Sequence, residues 1–277
     1  MKVRMYNVGF GDCFCLRDRK KSLLVDFGTN NSRIEGRPRR EIFDVIISDL
    51  STIKSKNLLL THFHMDHLSG LLYMMKKKDI SVDFGKIYLP DVFSKKEMSR
   101  TLVLLLLADL LKESGLPSRQ VSLFALVDAL LENKQNVELL SRGKLFENKY
   151  QALWPDTDVI RKETDEVYKR ICEDGKFKEV MDVLLEFAEK LRLIVWSMTA
   201  EGNKPAETVE KETDLTASEL TEQPEVRQKI IRAYVYEREF RRIKALPDFK
   251  KLLAWLNENQ INLRQFKHKI SIVFQNA

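Results

Sequence analysis

The sequence predicts an α/β fold. Two observations carry that prediction. Short runs of alternating or continuous apolar residues, at 1–26 and 58–60, read as strands, and stretches with the 3.6-residue period of helices follow them at 41–54 and 67–77. From Ser94 onward the chain turns predominantly helical, with short strands returning near 137–141 and 151–154.

In order, residues 1–30 read as a β-hairpin with a Gly9–Gly11 turn and a return strand at Ser22–Asp26. Residues 31–40 form a loop rich in arginine: Arg33, Arg37, Arg39 and Arg40. Ile42, Phe43, Val45, Ile46, Ile47 and Leu50 give 41–54 an apolar face. Leu58–Leu60 is a buried strand, and the helix after it ends on Lys76, Lys77 and Lys78, the sign a helix dipole prefers at its C-terminus. Helices are expected at 95–113 and 118–133, broken at Gly115-Leu116-Pro117, and within 158–198, split at Asp174-Gly175. Residues 200–223 have the composition of a flexible linker. Pro224 opens a basic helix to about 244, and Pro247 another to about 258.

The chain of 277 residues can bury a sizeable core, and 44% hydrophobic with 32% charged residues is the balance of a soluble globular protein. The net charge of +6, from 47 Lys plus Arg against 41 Asp plus Glu, is compatible with anionic ligands. Cys13, Cys15 and Cys172 read as free thiols of a reducing, cytoplasmic setting, with Cys13 and Cys15 packed in the core. Leu102–Leu107 is far shorter than the roughly 20 apolar residues of a membrane span, and no membrane partner is expected.

The chemistry concentrates in Thr61-His62-Phe63-His64-Met65-Asp66-His67, which holds three of the chain's 4 histidines. In extended backbone His62 and His64 point to one side and can reach one metal together. Asp66 and His67 follow where a helix starts and aim at a neighbouring position. Imidazole and carboxylate donors suit borderline divalent metals, zinc above all, with manganese as the alternative. Two such ions side by side clamp a phosphoryl or carbonyl oxygen and activate water. The expected site is therefore metal: His62, His64, Asp66, His67; catalytic: Asp66, which also orients the water.

This run resembles the signature of the metallo-β-lactamase fold superfamily. Val3–Leu16, with the Gly9-Phe10-Gly11-Asp12 turn, resembles its opening strands, Leu23–Thr29 its Asp-x-Gly strand end, and Lys86–Pro90 a following sheet strand. The wording is similar to the branch that includes the hydrolase domain of bacterial DNA-uptake competence proteins, as are Leu140–Gly143, Leu153–Pro155 and Lys269–Phe274. The resemblance implies an αββα sandwich represented mainly by its first half: 1–155 as that half, 156–260 as a helical insertion and 261–277 as a return strand. It places Asp26 beside the metals and, with Asp12, behind the histidines. It implies a metal-dependent hydrolase, with phosphodiesters and nucleic acid favoured as substrates and thioester or lactam hydrolysis open.

The family's second half normally supplies a bridging aspartate and a further histidine. Here the remaining histidine is His268, flanked by lysines, which reads as a surface or strand-edge residue. The chain therefore reads as a fragment of a longer enzyme, as one subunit that a second chain would complete as its partner, or as a divergent protein, and a catalytically inactive binding subunit is the rival to the enzyme. Two basic segments are weighed as well. The arginine loop could meet substrate phosphate through Arg33, Arg37, Arg39 and Arg40. The 225–251 stretch, where Tyr234, Tyr236 and Phe240 interleave with basic residues, could meet nucleic acid, although Glu225, Glu237, Glu239 and Asp248 dilute it.

Overall fold

The computed structural model describes residues 1–18, 21–77, 83–112, 122–173, 175–200, 242–243, 245–261, 263 and 269–276. The expected linker at 200–223 beyond Ala200, most of the basic helix at 225–244, and His268 lie outside the described residues. The chain divides into two compact units. One holds 1–90, 129–154 and 271–277, and the other 91–128 and 155–270.

In the first unit, strands β1 (Lys2–Met5), β2 (Phe14–Arg17), β3 (Ser22–Val25), β6 (Lys56–Leu59), β7 (Ile87–Pro90) and β8 (Val137–Leu140) make a six-stranded sheet in the order β1-β2-β3-β6-β7-β8. The first three strands run antiparallel, and β3, β6, β7 and β8 run parallel. Parallel neighbours need crossovers, and helices α1 (Arg39–Ser51) and α2 (Met65–Lys76) supply the first two. The carboxyl ends of β3 and β6 therefore lie side by side, the usual place for a ligand in such sheets.

The arginine loop is not irregular. It forms a two-stranded hairpin, β4 (Arg33–Ile34) with β5 (Arg37–Pro38), whose turn falls at Glu35 and Gly36, both at positive φ. α1 follows directly and buries Phe43, Ile46, Ile47 and Leu50. Phe43 meets Phe27 edge-on, with ring centroids 5.2 Å apart, and also Tyr73 of α2.

A second sheet corrects one expectation. The 151–154 strand does not return to the main sheet. β10 (Tyr150–Trp154) instead pairs antiparallel with β9 (Leu145–Phe146) and with β11 (Val273–Asn276), in the order β11-β10-β9. Alternation sends Leu16, Leu23, Val25, Leu59, Tyr88 and Leu140 from the large sheet into one core with Phe146, Tyr150, Ala152 and Ile272. This face of the large sheet is thus covered by three strands drawn from 145–154 and 273–276. Tyr88 hydroxyl and the Asn57 amide both donate to Glu147, tying this layer to strands β6 and β7.

In the second unit, α3 (Ser99–Lys112) packs against α5 (Thr157–Cys172) and α6 (Lys178–Ser197). The hydroxyls of Thr101 and Thr164 pair at 2.9 Å inside this contact, and Arg100 bonds Asp165 at 2.8 Å. Asp156 caps α5 by accepting from the backbone N–H groups of Asp158 and Val159. This unit also holds residues 122–128 of α4 (Ser122–Glu132) and α7 (Pro247–Glu258, with Pro247 opening it). Among the described residues, no helix is long and apolar enough to cross a membrane.

Candidate metal centre

The site is built where β3 and β6 end. β6 stops at Leu59, earlier than the extended run expected through His64, and the chain bends at His62 and Phe63 before α2 begins. His64 is the residue that precedes α2, with extended φ and ψ, and Asp66 and His67 occupy its first turn. The bend still brings the imidazoles together. The rings of His62 and His64 meet edge to face with centroids 4.8 Å apart, and those of His62 and His67 lie 3.7 Å apart. Asp66 Oδ2 is 3.7 Å from His67 Nε2.

Asp26 organises the cluster. It sits at the end of β3 with φ 54°, a left-handed conformation that Asp tolerates better than most residues. Its N–H still bonds Leu59 carbonyl at 2.9 Å, so the turn is anchored to β6. The carboxylate lies 1% exposed and accepts three bonds: Thr61 N–H on Oδ1 at 2.8 Å, Thr61 Oγ1 on Oδ2 at 2.7 Å, and His67 Nδ1 on Oδ2 at 2.9 Å. Burial pushes the Asp26 pKa up, against the His67 and Thr61 bonds that pull it down, and the balance is upward. Burial alone would lower His67, but the Asp26 bond and the charges of Asp26, Asp66 and Asp12 outweigh it and raise its pKa.

The backbone holds this arrangement from below. Phe27 N–H bonds His67 carbonyl at 2.7 Å, and Phe27 carbonyl accepts from Gly70 and Leu71. Gly28 is required by this close approach, because a Cβ there would lie 2.6 Å from Leu68 N and 2.7 Å from the Asp66 carbonyl. Asp12 joins through its main chain, donating to Asp66 carbonyl and accepting from Gly28 N–H, both at 3.3 Å.

Among the described residues, Asp12, Asp26 and His67 bring one possible ligand atom each within 4.8 Å of one another. That trio shares only His67 with the ligand set expected from sequence. Its chemistry argues for a holding role: Asp26 already accepts three bonds, and the His67 atom facing both carboxylates is Nδ1, 2.9 Å from Asp26 and 3.7 Å from Asp12. A proton on Nδ1 makes Nε2 the basic nitrogen, on the side of Asp66. A carboxylate that fixes a histidine in this way is the usual support behind a metal ligand. Three imidazoles and the Asp66 carboxylate on one short loop are a fitting donor set for a borderline divalent ion.

Cys13 and Cys15 are buried and their thiols are raised by that burial, which suits core packing and not thiolate ligation. Arg33 spends its guanidinium on Gly36 carbonyl, and Arg37 pairs with Glu41. Arg39 and Arg40 are exposed in the first turn of α1. The participant missed by sequence reasoning is Thr61. The signal for it was a lone hydroxyl placed between the apolar strand and the first histidine.

Residues 6–91 match the family model of the metallo-beta-lactamase superfamily. The match contains every residue of the cluster, and the mixed α/β architecture agrees with a metallo-β-lactamase-like fold. A match to this superfamily model implies a metal-dependent hydrolase. No curated protein matches the chain.

Proposed function

We propose that the chain hydrolyses phosphodiester or other phosphate-ester bonds with zinc as its metal. The observation that carries this reading is the convergence of His62, His64, Asp66 and His67 on one loop, with His67 fixed by buried Asp26. His62 and His64 would hold one ion, and Asp66 and His67 a second. Held there, a divalent ion would lower the pKa of a bound water to about 7 and polarise a phosphoryl oxygen. Asp66 orients the attacking water and takes its proton. Asp26 keeps His67 in one tautomer and one orientation, and Asp12 lines the same side of that ring.

The choice of a phosphodiester rests on the similarity to the DNA-uptake branch and on Arg39 and Arg40, whose guanidinium groups have no bond to another described side chain and can fork onto phosphate. The test is zinc content per chain together with cleavage of bis-p-nitrophenyl phosphate by wild type and His64→Ala. Near-stoichiometric zinc, with cleavage that falls to background in the variant, supports the reading. Equal rates in both proteins reject it. Full zinc with no cleavage would turn the assignment to the rival, a binding subunit that a second chain completes.

A further inference from the structure

We propose that Thr61 is a positioning residue that carries the Asp26 carboxylate's control from His67 to His62, so that one buried acid sets the tautomer of both imidazoles. The inference rests on the metal-site reading above and adds a residue to it. Thr61 Oγ1 lies 2.7 Å from Asp26 Oδ2 and 3.0 Å from His62 Nδ1. A hydroxyl has one proton and two lone pairs. If it donated to His62, its lone pairs would face a carboxylate oxygen at 2.7 Å, acceptor against acceptor. The bond to the ionised oxygen is the stronger one, so the proton goes to Asp26. His62 Nδ1 must then be the donor in the second contact, and Nε2 becomes the basic nitrogen of that ring.

The same outcome holds at His67, whose Nδ1 bonds Asp26 Oδ2 at 2.9 Å. Thr61 also bonds Oδ1 through its own N–H at 2.8 Å, so the carboxylate cannot swing away from the hydroxyl without losing both contacts. The β-branched side chain adds stiffness at χ1. The chain His67–Asp26–Thr61–His62 thus presents two Nε2 atoms from rings 3.7 Å apart.

The test is ring ¹⁵N spectroscopy of histidine-labelled, metal-free protein at about pH 8, above the ordinary histidine pKa of about 6.5. Wild type and Thr61→Ser should show His62 protonated on Nδ1. Thr61→Val, nearly the same shape without the hydroxyl, should move His62 toward the Nε2–H form that free histidine prefers. Zinc affinity, measured against a competing chelator, should weaken by about 10–100-fold in Thr61→Val and stay close to wild type in Thr61→Ser. His62 carrying its proton on Nε2 in wild type would overturn the proposal, and that result needs no variant to fold. An unchanged His62 tautomer in folded Thr61→Val would overturn it as well. If the tautomer shifts as expected but wild type binds no zinc, the relay stands and the hydrolase reading falls.

Discussion

Two polar segments sit only some twenty residues apart, and they use their side chains in opposite ways. The histidine loop at 61–67 is held by partners far away in sequence, with His62, His67 and Asp26 all buried. The hairpin at 33–40 is held by its own turn, with Arg33 on Gly36 and Arg37 on Glu41. Both looked functional from residue type alone. The difference is that a buried carboxylate bonds Thr61 and His67 of the first group, whereas among the described residues the bonded arginines of the second meet only Gly36 and Glu41.

Substitutions can break this contrast, beginning with the backbone. Gly28→Ala would force a Cβ into main-chain atoms at 2.6–2.7 Å and should cost about 3 kcal/mol in denaturant unfolding. Gly36→Ala meets nothing within 4 Å and pays only for its φ of +79°, about 1 kcal/mol. Equal losses at the two glycines would remove the distinction between a cradle and a free turn.

Asp26→Asn should come next. It leaves the volume intact but weakens three bonds, so zinc affinity should fall about 10–100-fold in chelator competition. Stability should fall by about 1–3 kcal/mol in the same unfolding assay.

A smaller effect is expected where α1 is tied to the sheet. Asp49 of α1 binds Arg4 at 2.6 Å, Arg17 at 2.9 Å and the Tyr6 hydroxyl. Burial would raise its pKa, but the Tyr6 bond and the two arginines outweigh that and lower it. A depressed carboxylate stabilises the fold above its unfolded value of about 3.9 and loses that contribution as pH falls through the folded pKa. Asp49→Asn should therefore be less stable than wild type by up to about 1 kcal/mol at neutral pH. The gap should close in acid below about pH 3.9.

The mildest change should be Arg39→Ala with Arg40→Ala, which should leave stability within about 0.5 kcal/mol and raise KM for a phosphodiester with kcat nearly unchanged. An unchanged KM would take these two arginines out of the substrate contact.

Much of the α/β order was legible because it is local. Strand and helix periods at 14–25, 41–54 and 67–77 each report on a few neighbouring residues, and α7 was announced by Pro247. The second sheet was not legible, because β9 is two residues long and β10 finds its other partner at 273–276, more than a hundred positions away. The cluster itself was visible as residue types at close spacing. Its internal logic was not: the early end of β6, the left-handed Asp26 and the two bonds of the Thr61 hydroxyl all depend on β3 and β6 lying side by side. Sequence spacing suggested an extended ladder of ligands, and the chain instead bends at 62–63, with Asp26 bonded to Thr61 and His67.

The most direct test sets the two possible donor groups against each other. Zinc bound at equilibrium would be counted for wild type, for His62→Ala with His64→Ala, and for Asp12→Ala. The predicted result is the same zinc content in wild type and Asp12→Ala, with at least the ion of His62 and His64 lost from the double histidine variant. Retention of zinc without His62 and His64, together with its loss on removing Asp12, would contradict it and place the ion among Asp12, Asp26 and His67 instead.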